Sequence, residues 1–274
     1  MLIARTRNAL DELLARLGAR ALVPTMGALH TGHLTLLDVA RRAAPVVVAS
    51  IFVNPTQFAP HEDFSRYPRD EAGDLEKLAA AGCDLVWLPD VAEMYPLGDA
   101  TAIEMGGPAQ GWEGAARPGH FRGVATVVAK LFGQVRPSAA VFGEKDWQQL
   151  QVIRRMAADL SLPVRVIGAP VVREDDGLAM SSRNRFLTPA ERAAAPKLHG
   201  ILCDVRDALA GGAVAAGVLG AARARLAAGG FVPDYLALVE NETLLETDRA
   251  GADARLIAAA RLGSVRLLDN IASQ

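Results

Sequence analysis

Short apolar runs alternate with amphipathic stretches over the first two thirds of the chain. Residues 21–24, 46–52, 84–87, 139–142 and 164–167 are brief, and most are rich in β-branched or large apolar side chains, as buried strands are. Between them, residues 34–42, 70–81, 124–135 and 147–160 repeat their apolar positions at helical spacing. Strand–helix alternation predicts an α/β domain with a parallel, doubly wound sheet and helices on both faces. Such sheets bind ligands beyond the carboxyl ends of their strands. Residues 1–18 read as a charged amphipathic helix rather than a secretory leader.

The pattern changes after about residue 173. Thr188, Pro189 and Glu191 spell a helix start, with a hydroxyl cap, a proline at the first helical position and an acid three residues after the cap. An alanine-rich helical region follows, interrupted at Gly211 and Gly212. Residues 235–240, 254–261 and 265–268 then read as strands of a small sheet. The expected organisation is a catalytic α/β domain over 1–173 and a smaller α+β lid domain over 174–274.

Candidate chemistry lies where strands give way to loops. PTMGALHTGH over residues 24–33 leads from the first long strand into a helix. A glycine-containing loop at a helix start presents backbone N–H groups and the positive end of the helix dipole, which makes an anion site. His30 and His33 add donors for phosphate oxygens. The spacing lacks the glutamate of a zinc-protease motif and any nearby third ligand. SIFVNPTQF over 50–58 puts the amides of Asn54 and Gln57 at a strand's carboxyl end, where they suit the hydroxyl and carboxylate of a small hydroxy acid. RPGHFRGV over 117–124 offers Arg117 in a loop before a helix. FGEKDWQQ over 142–149 places a lysine between two acids. Only four of the 29 basic residues are lysines, so Lys145 suggests a compact point charge at a phosphate. VREDDGLAMSSRN over 172–184 sets Ser181 and Ser182 beside Arg183 at the domain junction, a clamp able to close over a nucleotide.

Composition narrows the partners. A net charge of −2 with mixed signs gives no general attraction to nucleic acid or an anionic membrane. No charge-free apolar stretch reaches the roughly 18 residues that a membrane span needs. Cys83 and Cys203 are far apart and lack metal-ligand spacing, so buried reduced thiols and a cytoplasmic setting are expected.

The motifs together resemble a known family. HTGH over 30–33 is similar to the HIGH-type signature of the adenylyl-transferring superfamily, and its flanks, with residues 52–58, YPR over 67–69, RPGHF, GEKD and MSSRN, resemble pantothenate synthetase. The match runs in ordered segments from about residue 24 to 184. It implies a Rossmann-like fold and an ATP-dependent ligase that adenylates pantoate, then joins it to β-alanine with release of AMP and pyrophosphate. On that resemblance His30, His33, Lys145, Ser181, Ser182 and Arg183 stabilise triphosphate charge, and His33 has an open role as an acid. Met26, Gly27, Gly143, Asp146, Val172 and Met180 frame ATP. Gln57, Gln149, Asn54 and Arg117 serve pantoate and β-alanine. Mg²⁺ is expected on the phosphates, with Asp74 as a candidate ligand. A homodimer is implied, for which the apolar 46–52 strand suits either an interface or a core.

Two rival readings differ in class. An adenylyltransferase that retains AMP in its product leaves Asn54, Gln57 and Gln149 without a purpose. A non-catalytic nucleotide sensor needs the phosphate motifs but not a full set of groups for an activated acid.

Overall fold

The computed structural model describes residues 1–59 and 64–274. Among these the order is β1 (Leu2–Ala4), α1 (Arg7–Leu14), β2 (Arg20–Thr25), α2 (Thr31–Ala43), β3 (Val46–Ile51), α3 (Glu71–Ala80), β4 (Leu85–Trp87), α4 (Val91–Met94), α5 (Trp112–Ala116), α6 (His120–Val135), β5 (Ala139–Gly143), α7 (Trp147–Asp159) and β6 (Arg165–Ala169). There follow α8 (Pro189–Ala194), α9 (Lys197–Ala210), α10 (Ala215–Ala228), β7 (Phe231–Glu240), β8 (Ala254–Leu262) and β9 (Val265–Ala272). The chain divides into two compact units, Met1–Glu144 with Gln149–Pro170, and Lys145–Gln148 with Val171–Gln274.

The first unit is built on a parallel sheet in the order β1-β4-β3-β2-β5-β6. The chain steps outward from β2 through β3 to β4, then returns to lay β5 on the other side of β2. That reversal makes the β2/β5 boundary the topological switch point, where the loops after two neighbouring strands part and leave a crevice. Alternation places Ala21, Val23, Val47, Ala49, Val86 and Val141 in one core with Leu36, Leu37 and Ala40 of α2. The opposite positions, among them Leu22, Val48, Leu85 and Phe142, are buried as well. α6 is apolar around most of its circumference, with Phe121, Val124, Val128, Leu131 and Val135 all buried. Both faces being covered explains why the strands read as continuous apolar runs.

One open reading closes here and one expectation changes. β3 is paired on both sides, with β2 and β4, and residues 47–50 have no exposed surface, so the 46–52 run is core rather than interface. The opening 18 residues are not one helix. Leu2–Ala4 forms an edge strand beside β4, and Thr6 starts α1 by accepting the Ala9 N–H at 3.3 Å. Three strand residues are too few for a periodicity to betray them.

In the second unit α8 begins with the expected reciprocal cap. Thr188 Oγ1 accepts the Glu191 N–H at 3.3 Å, and Glu191 Oε2 accepts the Thr188 N–H at 2.8 Å. Helices α9 and α10 are separated at Gly211 and Gly212, the latter at φ +86°, which glycine adopts without strain. The antiparallel sheet β7-β8-β9 packs Leu236, Leu256 and Leu267 against Leu198, Leu202 and Leu226 of these helices. No helix among the described residues is long and apolar enough to cross a membrane.

Candidate active site

The loop after β2 is shaped by bonds to its own backbone. Thr25 Oγ1 donates to the Ser50 carbonyl at 2.8 Å and accepts the Gly27 N–H at 3.2 Å. Gly27 and Ala28 both take positive φ, at +82° and +51°, which turns the chain sharply toward α2. Asp74, on α3 and 1 % exposed, accepts the Ala28 and Leu29 N–H groups on separate carboxylate oxygens, each at 2.7 Å. His30 is the N-cap residue of α2, and its own N–H donates to His33 Nδ1 at 3.3 Å. Because that nitrogen accepts, the ring proton of His33 stands on Nε2 as a donor. The two imidazole centroids lie 4.1 Å apart.

The sequence suggests that the loop's amides bind the anion. The structure assigns most of them elsewhere: those of Gly27, Ala28, Leu29 and His30 bond to protein. Thr31 and Gly32, in the first turn of α2, are the amides that helix geometry leaves to bond outward. The Thr31 and Gly32 amides and the His33 ring thus stand together at the start of α2. Asp74, the candidate Mg²⁺ ligand, is held within the same loop. Both of its oxygens hold backbone amides, and no group of three or more His, Cys, Asp or Glu suited to a metal occurs among the described residues.

Beside β3 the two amides of the 50–58 segment are joined. Asn54, 1 % exposed, donates from Nδ2 to Gln57 Oε1 and to the Gly123 carbonyl, both at 3.1 Å. Its Oδ1 accepts from the Tyr95 hydroxyl at 2.8 Å, Thr56 Oγ1 at 2.9 Å and the Thr56 N–H at 3.2 Å. These bonds engage both ends of the Asn54 amide and tie it to Gln57. Gln57 Nε2 meets the soft Met26 sulfur at 3.3 Å. Its backbone carbonyl is held by His120 Nδ1 at 3.0 Å, and His120 Nε2 faces the Arg117 guanidinium at 3.1 Å. An arginine can only donate, so Nε2 accepts and the His120 proton sits on Nδ1, pointed at Gln57. A Cβ on Gly123 would lie 2.4 Å from the Thr56 carbonyl oxygen, which is why glycine lets α6 close on this turn. Tyr95, His120 and Gly123 were not singled out by sequence. His120 and Gly123 lie within the RPGHFRGV run, but nothing in a single sequence marks Tyr95. Gly143 ends β5, opposite Ala169 of β6, and Gln149 is half-buried on α7.

The second unit carries the remaining motif residues and grips the Lys145 turn. Asn270 Nδ2 donates to the Lys145 carbonyl at 2.9 Å, Trp147 Nε1 donates to the Asn241 carbonyl at 2.9 Å, and the Arg255 guanidinium stacks 3.5 Å above the Trp147 ring. Lys145 Nζ is 3.8 Å from Asp146, a loose pairing that leaves the ammonium able to turn to a phosphate. Val172 accepts the Met180 N–H at 2.9 Å, closing the hairpin that presents Ser181, Ser182 and Arg183. Ser181 Oγ caps the following turn by accepting the Arg183 N–H at 3.3 Å. Lys145, Ser181, Asn184, His199 and Asp269 line one cleft, so two motifs more than 30 residues apart converge. Beneath it Arg173 binds Asp269 through two bonds, at 2.7 and 2.9 Å.

A parallel α/β unit with an anion loop at its switch point and a neutral amide pocket beside it defines a nucleotide-using enzyme that handles a small polar acid. The chain belongs to the pantoate–beta-alanine ligase family, whose model matches residues 2–272. A pantothenate synthetase of Acidiphilium cryptum is 64 % identical over 252 residues, covering 92 % of this chain and 91 % of that protein. One of Granulibacter bethesdensis is 59 % identical over 99 % of this chain and 96 % of the relative. The crystal structure of pantothenate synthetase from Thermus thermophilus superposes with a TM-score of 0.95 at 51 % identity, covering 100 % of this chain and 99 % of the other. The ligase of Francisella tularensis, described as complexed with beta-gamma ATP and beta-alanine, has a TM-score of 0.86 at 32 % identity, covering 100 % and 98 %.

Proposed function

We propose that this chain condenses pantoate with β-alanine in two half-reactions and that the residues above divide the work. A carboxylate oxygen of pantoate attacks the α-phosphorus of ATP, and pyrophosphate leaves. The β-alanine amine then attacks the carbonyl carbon of the pantoyl adenylate, loses a proton, and AMP leaves. The task of the protein is to position these groups and to neutralise phosphate charge away from water.

The Thr31 and Gly32 amides and the His33 Nε2–H receive the triphosphate, with His30 beside them. In the second unit Lys145, Ser181, Ser182 and Arg183 supply cations and hydroxyls for phosphate. Met26, Gly27, Gly143, Asp146, Val172 and Met180 frame the nucleotide. Gln57 Nε2 and Gln149 orient pantoate, with Arg117 near the carboxylates and Asn54 acting through Gln57. The nucleotide is taken up as its Mg²⁺ complex. Mg²⁺ would neutralise phosphate charge, with Asp74 as the candidate protein ligand.

The observation that supports the reading is the loop after β2, where the His30 N–H sets the His33 ring at the α2 start and Met26 meets the Gln57 amide. The family resemblance supports a cytoplasmic homodimer, which light scattering of the purified chain tests. The activity itself is tested by pantoate-dependent exchange of labelled pyrophosphate into ATP. Exchange that requires pantoate but not β-alanine is expected. A chain that binds ATP without exchange is a sensor, and retention of AMP in the product makes it a transferase.

A further inference from the structure

We propose that Asp74 is a positioning residue for the adenylation half-reaction, acting through the loop it holds and not through a metal. This rests on the reading of the α2 start as the triphosphate subsite. The carboxylate is almost wholly enclosed, and its two oxygens are each 2.7 Å from adjacent backbone nitrogens, those of Ala28 and Leu29. Charge-assisted bonds of this length are among the stronger polar contacts in a protein. They act where the loop needs holding. Ala28 sits at φ +51°, a region that costs an alanine free energy and persists only when its surroundings impose it. The adjoining Gly27 has no room for a side chain, since a Cβ there would lie 2.9 Å from Asp74 Oδ2 and 3.2 Å from Ile51. One residue beyond this turn comes His30, the N-cap of α2, whose N–H sets the His33 ring. The carboxylate thus determines where the His33 donor and the first-turn amides stand.

An acidic group behind a loop for a triphosphate is electrostatically unhelpful to binding. Lys77 offsets it only in part, at 3.8 Å from Oδ1 and with much of its side chain in solvent. If charge alone mattered, removing the acid would improve use of ATP. If shape matters, removing it harms use of ATP, because an asparagine in the same place turns an NH₂ toward one of two N–H groups. The two accounts predict opposite signs for one substitution.

The test separates the half-reactions in the full-length enzyme. Asp74→Asn and Lys77→Ala are compared with the unchanged chain in pyrophosphate–ATP exchange, and in amide formation from supplied pantoyl adenylate and β-alanine, which needs no triphosphate. For Asp74→Asn the exchange rate falls about a hundredfold, the scale of a misplacement near 1 Å, while amide formation stays within about twofold. Lys77→Ala stays within about twofold in both. Faster exchange, an equal loss in both half-reactions, or a loss restored by raising Mg²⁺ alone each overturns the proposal. Absence of exchange in the unchanged chain instead refutes the functional reading. Should the variant not fold, hydrogen exchange in the unchanged chain decides. The Ala28 and Leu29 amides are expected to be protected at least as well as those of the α2 interior, and rapid exchange at either one overturns the clamp.

Discussion

Replacing Asn54 with alanine tests whether a residue that need not touch substrate can control its binding. Asn54 donates to the Gly123 carbonyl and to Gln57 Oε1, and it accepts from Tyr95 and twice from Thr56. Thr56 is exposed, so water can replace what it loses. The Gly123 carbonyl and the Gln57 amide oxygen lie in a buried setting and each lose a donor. A buried polar group left without its partner costs about 1–3 kcal/mol, so stability should fall by about 3 kcal/mol. The Gln57 side chain is also released to turn. Losing one oriented hydrogen bond of about 1.4 kcal/mol raises KM for pantoate roughly tenfold. KM for ATP should barely move. Urea unfolding reads the first quantity and steady-state kinetics the second. A double-mutant cycle makes the argument strict: in a Gln57→Ala background the Asn54 substitution should have no further effect on pantoate. Full additivity of the two kinetic effects, or a stability loss under about 0.5 kcal/mol, refutes the support role.

Other expectations follow from single sites. Lys145→Ala should cost about 3 kcal/mol of activation free energy, a hundredfold or more in adenylation rate, and wild-type turnover at saturating ATP would remove its assigned role. Gly123→Ala drives a Cβ to 2.4 Å from the Thr56 carbonyl and 2.7 Å from Gln57 Cα, both backbone atoms. Thermal unfolding should register a loss of about 1–3 kcal/mol, with pantoate use impaired. His199 is pushed below its ordinary value of 6.5, first by burial and then by Arg173, while Asp269 pulls the other way. A depressed imidazole favours the neutral form in the fold, so its contribution is intact above pH 6.5 and is lost as pH falls toward the lowered value. His199→Gln should therefore flatten the acid side of the stability profile, and an unchanged profile contradicts this. Burial pushes the Cys83 thiol up to about 11, against weaker pulls from backbone bonds. In the native protein at neutral pH a thiol reagent should label the half-buried Cys203 first, and prior labelling of Cys83 counts against its enclosure.

The parts of the fold that a single sequence discloses are those fixed by local pattern. Val46 to Ile51, the Thr188 cap and the break at Gly211 all follow from residue type and spacing. β1 did not, because a three-residue edge strand takes its identity from β4, more than 80 positions away. The site divides along the same line. Asn54 and Gln57 are conspicuous as two amides after a strand, yet only the fold reveals that one is spent on the other. Asp74 reads in sequence as a candidate Mg²⁺ ligand, and its bonds to Ala28 and Leu29 cross 46 and 45 positions. Roles that pass through a neighbour's backbone leave no local signature. Nor does sequence announce that Asn270, near the end of the chain, fastens the Lys145 turn.

The central claim is that the chain activates pantoate by adenylation before any amine is needed. Rapid quenching of enzyme mixed with ATP and pantoate, in the absence of β-alanine, tests it most directly. One equivalent each of pantoyl adenylate and pyrophosphate per active site is predicted in the first turnover. Pyrophosphate released only once β-alanine is added, or ADP in place of both products, would contradict the account.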